Sequence, residues 1–253
     1  MLLLHCAARP VIVAPPRRAA ARSPPVWAPV AAAPLAVAAG ALAQSRRLTV
    51  AGLTLSLGLI SLMADIARSP VVPGANDNAS GVGALAGVGE ALVGDPPASL
   101  AVWLVSCGSE ESMQTGIRAF LARHGADLPR DRTSFVNLET VGSPDLVMLE
   151  GEGTLVMRTY RPEFTDRVEA VAHRAGVPVR RGLRASTSTD SITAHRAGYP
   201  VATLTSLTAW KALANYHWPT DTADRLDYGT IKEATRVVVA LARDLDAGTG
   251  RAT

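Results

Sequence analysis

The chain has 253 residues, enough for one α/β domain with a substantial core plus an appendage. Its net charge is a modest +3, lysine occurs only at Lys211 and Lys232, and the arginines are scattered without interleaved aromatics, which argues against a nucleic-acid-binding protein. Apolar residues make up 48% and aromatics 4%, so Val, Leu and Ala must build the core, and two cysteines, Cys6 and Cys107, do not suggest a disulfide framework.

Residues 1–25 read as a Pro/Arg-rich leader. Two uncharged apolar runs follow, residues 26–43 and 48–64, divided by QSRR. Each sits at the lower edge of membrane-spanning length. Residues 26–64 therefore read as an apolar helical hairpin, a membrane anchor or else a pair of buried helices. No small-residue cleavage site follows an early apolar segment, which argues against a removable signal peptide. Arg9, Arg17, Arg18 and Arg22 precede the hairpin while Arg46 and Arg47 divide it, so the positive-inside rule leaves the side of the membrane open.

Residues 65–253 have the pattern of an α/β domain. Helices are predicted over 79–93, 112–124, 163–175 and 230–245. Strands are predicted in SLAVWLVSCG, TSFVNLETVG, DLVMLEGEG and YPVATLTS. This alternation predicts a doubly wound, mostly parallel sheet with helices on both faces.

Ligands of such sheets bind outside the carboxyl ends of the strands. Acidic groups recur at that rim. Asp77 precedes a helix, Glu110 and Glu111 follow one strand, Glu139 closes another, and His217 follows a third after a loop. Crowded carboxylates repel unless a cation neutralises them, and a divalent ion is the simplest remedy. Adjacent residues point in different directions, so of Glu110 and Glu111 one can ligate while the other takes a proton from a metal-activated water. SEES also fits a solvated helix N-terminus.

Taken together, PGANDNASGV, GSEES, NLETVG, TDSITAHRAGYP and NYHWPTDTADRLD resemble, in order and spacing, the zinc-dependent aminopeptidases of metallopeptidase family twenty-eight, which also contains glutaminyl-peptide cyclases. The resemblance covers roughly residues 72–245. It implies zinc, one or two ions, and a peptide substrate. It implies Asp77 as bridging ligand, Glu110 as general base, and Glu111, Glu139 and His217 as further ligands. Asp190 would support the ligands from behind. Asn76 and Asn78 would orient Asp77, a role that turn formation explains about as well.

The chain also departs from the family. The family's first metal site needs a histidine in an H-x-D motif on a strand upstream of the bridging aspartate. The only upstream histidine is His5, whose surroundings do not look like a strand. An N-terminal truncation is one account of this. Glu139 stands where aspartate is usual, which moves its carboxylate by roughly 1.5 Å. Ser191 replaces the histidine that follows Asp190. His195 reads as surface, His124 and His173 as residues near helix C-termini, and Cys107 as a small buried apolar group. Trp210 and Trp218 fit a pocket lining or plain packing.

The function expected is a metal-dependent exopeptidase that removes N-terminal residues. The competing reading is a non-catalytic, membrane-attached binding or scaffold module of the same fold. A cyclase is the weaker enzymatic alternative, and a truncated enzyme fragment a third possibility.

Overall fold

The structure, a computed structural model, describes residues 2–6 and 27–249. The chain divides into two compact units, residues 22–71 and the remainder.

The smaller unit is a helical hairpin of α1 (Trp27–Leu42) and α2 (Arg46–Arg68). Ser45 caps α2 by accepting from the Leu48 amide. The helices meet closely at Gly52, where a Cβ would fall 2.6 Å from the Val37 amide nitrogen. Outside that seam the surface is apolar: Leu53, Leu57, Ile60, Met63 and Ile66 are all exposed. The sequence predicts two runs of similar length; among the described residues, only α2 is long and apolar enough to cross a membrane, with 23 residues and a mean hydropathy of 1.8. The 16 described residues of α1 make roughly 24 Å of helix.

The larger unit is a seven-stranded sheet: β1 (Leu2–Cys6), β2 (Val102–Ser106), β3 (Ser134–Glu139), β4 (Asp145–Glu152), β5 (Arg158–Thr159), β6 (Arg180–Ala185) and β7 (Val201–Leu207). The strand order is β2-β1-β3-β7-β4-β5, with β6 also paired to β4. β2, β1, β3 and β7 run parallel, whereas β4 runs antiparallel to β7. The sheet is mostly parallel, as expected, and mixed at β4, which pairs antiparallel with β7 and β5 and parallel with β6. The five residues between Glu139 and Asp145 are too few for a crossover, so β4 must return in the opposite direction. Their loop passes over the end of β7, where the Ser206 amide donates to the Thr140 carbonyl and the Ser143 amide donates to Ser206 Oγ.

β1 corrects the sequence reading. Residues 2–6, expected within the leader and not as a strand, pair in parallel with both β2 and β3. The rest of the expected leader, residues 7–25, lies outside the described residues.

Alternation along the strands builds two cores. Val136 and Leu138 of β3, Leu146 and Met148 of β4, and Ala202 and Leu204 of β7 face α3 (Ser80–Gly94), α5 (Pro162–Arg174) and α7 (Tyr228–Thr249). Phe135, Val147, Leu149 and Val201 face the opposite side, with α4 (Thr115–His124) and α6 (Asp190–Arg196). On this second face the strands turn polar toward their carboxyl ends. Asn137 and Glu139 follow Phe135 at the same parity, and Thr203 and Thr205 follow Val201; all four are buried. The apolar core thus gives way to a polar wall at the rim where the acids gather.

Candidate metal centre

Three side chains from separate segments converge at this rim. Asp77, Glu111 and His217 each present one ligand atom, and these atoms lie within 4.8 Å of one another. His217 Nε2 is 3.1 Å from Asp77 Oδ2 and 3.1 Å from Glu111 Oε1.

Asp77 lies in the tight turn Ala75–Ala79 that feeds α3, entered through Gly74 at φ +70°, a conformation that favours glycine. Its side chain is almost fully buried, and the Asp77–Asn78 peptide is cis. The neighbouring amides anchor this turn. Asn76 Oδ1 accepts from the Gly142 amide, while its Nδ2 donates to Ser143 Oγ and to the Ala214 carbonyl. Asn78 Oδ1 accepts from the Thr140 and Gly81 amides, while its Nδ2 donates to the Leu138 carbonyl. Both asparagines thus tie the backbone around Asp77 to the end of β3 and to the loop after it.

His217 sits at φ +57° in the loop after β7, stacked on Tyr216 with ring centroids 3.8 Å apart. Asp221, buried and not singled out from the sequence, locks this loop to the Asp77 turn. Its two carboxylate oxygens accept from the Asn76 and Asp77 amides at 2.7 and 3.1 Å, and its carbonyl accepts from the Ala75 amide. One residue therefore fixes the distance between two candidate ligands. The only sequence signal is its place four residues after His217 in NYHWPTD.

Glu110 and Glu111 diverge. Glu111 is half-exposed and reaches His217, whereas Glu110 is buried and outside the three-residue cluster. Glu139 is fully buried at the end of β3, where Asn137 Nδ2 donates to it at 3.4 Å. Asp190 is buried at the start of α6, close enough to Glu152 for their charges to interact. His5 lies on β1, in register with Asn137 and two positions short of the level of Glu139. The residue two positions after it is Ala7, where the family motif has aspartate. Trp210 and Trp218 are exposed, and Cys107 is half-buried against the α4/α6 core. His195, expected at the surface, is half-buried on α6, edge-on to Tyr160.

The electrostatics of the cluster favour a cation. Hydrogen bonds to Asp77 and Glu111 hold the His217 imidazole up to about 9, against the opposing effect of burial. Burial raises Asp77, and the charges of Glu111 and Asp221 raise it further. Among the described residues, Asp77 Oδ1 is buried without a hydrogen-bond partner. The Tyr216 hydroxyl is likewise buried without a partner, and it is pushed well up by burial and by the charges of Asp77, Glu111, Glu139 and Glu110. An unmet carboxylate oxygen beside a second carboxylate and an imidazole is a donor set suited to zinc.

A family model, Peptidase family M28, matches residues 60–242. The chain belongs to peptidase family M28. No curated protein matches it. Among solved structures, the M28 chain is similar to the aminopeptidase from Aneurinibacillus sp. strain AM-1, at 25% identity and TM-score 0.50, over 67% of this chain and 39% of that one. It is similar in fold to BSAP, a zinc aminopeptidase from Bacillus subtilis, at 18% identity and TM-score 0.55, over 70% and 43%. It is also similar in fold to an Acidobacteriales bacterium glutaminyl cyclase, at 20% identity and TM-score 0.58, over 69% and 62%. The chain thus matches less than two thirds of the length of each of these relatives.

Proposed function

We propose that this M28 chain is a membrane-attached, metal-dependent exopeptidase of aminopeptidase type. The observation that carries the reading is the convergence of Asp77, Glu111 and His217 around one point, with a buried Asp77 oxygen that no donor among the described residues satisfies. These three residues would hold one zinc ion. Asp77 and Glu139 would hold a second, with β1 as the upstream strand on which the family carries its histidine. When bound, zinc acidifies a water and polarises a carbonyl.

The chain's own residues supply the rest. Glu110, buried beside the cluster but not part of it, takes the proton of the attacking water and returns it to the leaving amine. The Tyr216 hydroxyl, set among the four acids with no partner of its own, donates to the oxygen that gains negative charge as the carbonyl is attacked. The half-exposed position of Glu111 and His217 leaves the cluster open to a peptide end. The apolar exterior of α2 supports the membrane attachment.

The test is hydrolysis of amino-acid anilides and dipeptides by the zinc-loaded chain, beside cyclisation of an N-terminal glutaminyl peptide. Release of the N-terminal residue, lost in the His217→Ala variant together with bound zinc, supports the reading. Cyclisation without hydrolysis reassigns the reaction. Zinc-independent turnover, or none in zinc-loaded protein, overturns it.

A further inference from the structure

The second core also holds a buried carboxylate, Glu152, at the end of β4. It is completely buried, no cation pairs with it among the described residues, and it lies outside the cluster described above. A register irregularity between Leu149 and Glu152 accompanies its turn toward α6. There it accepts from the Tyr160 hydroxyl, from the Thr189 amide at 2.5 Å and from the Thr189 hydroxyl at 3.1 Å.

The direction of these bonds matters. A hydroxyl has one proton, and that of Thr189 points at Glu152. Its lone pairs are then left to accept, and they take the Ser191 amide at 3.2 Å and Asn137 Nδ2 at 3.1 Å. The same Asn137 amide nitrogen donates to Glu139 Oε2 at 3.4 Å. Every donor in the series Glu139–Asn137–Thr189–Glu152 is thereby assigned by the carboxylate at its far end. On the other side of Glu152 the Tyr160 hydroxyl, its proton directed at the carboxylate, lies 3.1 Å from Thr203 Oγ1, whose own proton goes to Ser191 Oγ at 2.7 Å. The carboxylate is thus the acceptor for Tyr160 and for Thr189 at the start of α6, and Thr189 in turn accepts from Asn137 of β3.

We infer that Glu152 is a positioning residue: through Thr189 and Asn137 it fixes the orientation of the Glu139 carboxylate toward a second metal ion. The inference rests on the reading of Glu139 as a ligand. It also accounts for a glutamate at that position. A side chain one methylene longer than aspartate has one more torsion to restrain, and the Asn137 amide supplies a restraint on its oxygen.

The test is zinc binding by the full chain in detergent at pH 8, read as stoichiometry and as the affinity of each ion. The wild type is expected to bind two ions and Glu139→Ala one. Thr189→Val keeps the shape of the side chain but removes the hydroxyl, and Glu152→Gln introduces a donor among donors. Both are expected to weaken the second ion by about 10–100-fold. The first ion should bind as in the wild type, which also shows that the variants fold. Thr189→Ser should restore the second ion.

If Glu139→Ala binds as many ions as the wild type, or the wild type binds one, Glu139 is not a ligand and the inference falls with that reading. If Glu139→Ala loses an ion but Thr189→Val and Glu152→Gln hold both at wild-type affinity, the ligand reading stands and the positioning role is overturned.

Discussion

Two buried carboxylates, Glu152 and Asp77, show how one chemical group is kept in the interior in two ways. Glu152 is surrounded by donors: two hydroxyls and an amide N–H converge on it. Asp77 has its backbone held firmly, by Asp221, but its side chain is under-supplied, with one oxygen facing His217 and the other facing no donor among the described residues. Burying a carboxylate without compensation is costly. At Glu152 the fold compensates internally, whereas at Asp77 compensation must come from outside as positive charge. A satisfied buried acid marks architecture, and an unsatisfied one beside other ligands marks a binding site.

The contrast can be broken at several points. The largest effect is expected at neither acid but at Glu110, the buried neighbour of the proposed ligand Glu111. Glu110→Gln should lower peptidase turnover by about 10²–10⁴-fold while zinc remains bound, as measured by steady-state kinetics beside metal analysis. Loss of zinc along with turnover would place Glu110 among the ligands.

The next effect concerns Glu152 and pH. Burial, with the nearby charge of Asp190, raises it from 4.5 to about 7 despite its hydrogen bonds. Between those values the folded protein keeps a proton that the unfolded chain has released. Its contribution to stability is therefore full below pH 4.5, declines as pH rises toward 7, and is lost above it. The loss is about 3 kcal/mol. Subtracting the urea-unfolding curves of Glu152→Gln from those of the wild type, between pH 4.5 and 8, should isolate this decline. Parallel stabilities across that range would mean that the carboxylate pays no burial penalty.

A smaller effect is expected at Asp221. Asp221→Asn removes one of the two acceptors that hold the Asp77 turn against the His217 loop. Zinc affinity should fall by about 10–100-fold with the ligand set unchanged, as read by competition with a chelator. Unchanged affinity would show that the turn holds its shape without Asp221.

Most of this architecture was legible in the chain. β7 and helices α3, α5 and α7 lie within a few residues of their expected ends, because their apolar periodicity is long and bounded by Gly and Pro. The residues of the cluster were legible because acids and one histidine recur at strand ends. β1 was not, because LLLHC is five residues long and gains its meaning only from pairing with strands about 100 and 130 positions away. The reversal of β4 follows from a short loop whose consequence appears only once β7 is placed beside β3. Asp221 and Glu152 escaped for a shared reason. Their partners are backbone amides and hydroxyls distant in sequence, and neither has a spacing that marks such a role.

The central claim is that Asp77, Glu111 and His217 close on one divalent ion. Zinc-edge anomalous diffraction from crystals of the zinc-loaded chain tests it most directly. The account predicts a peak bound by all three side chains at about 2.0–2.2 Å. A zinc-loaded crystal with no peak there, or with the three side chains turned away from it, would contradict the account.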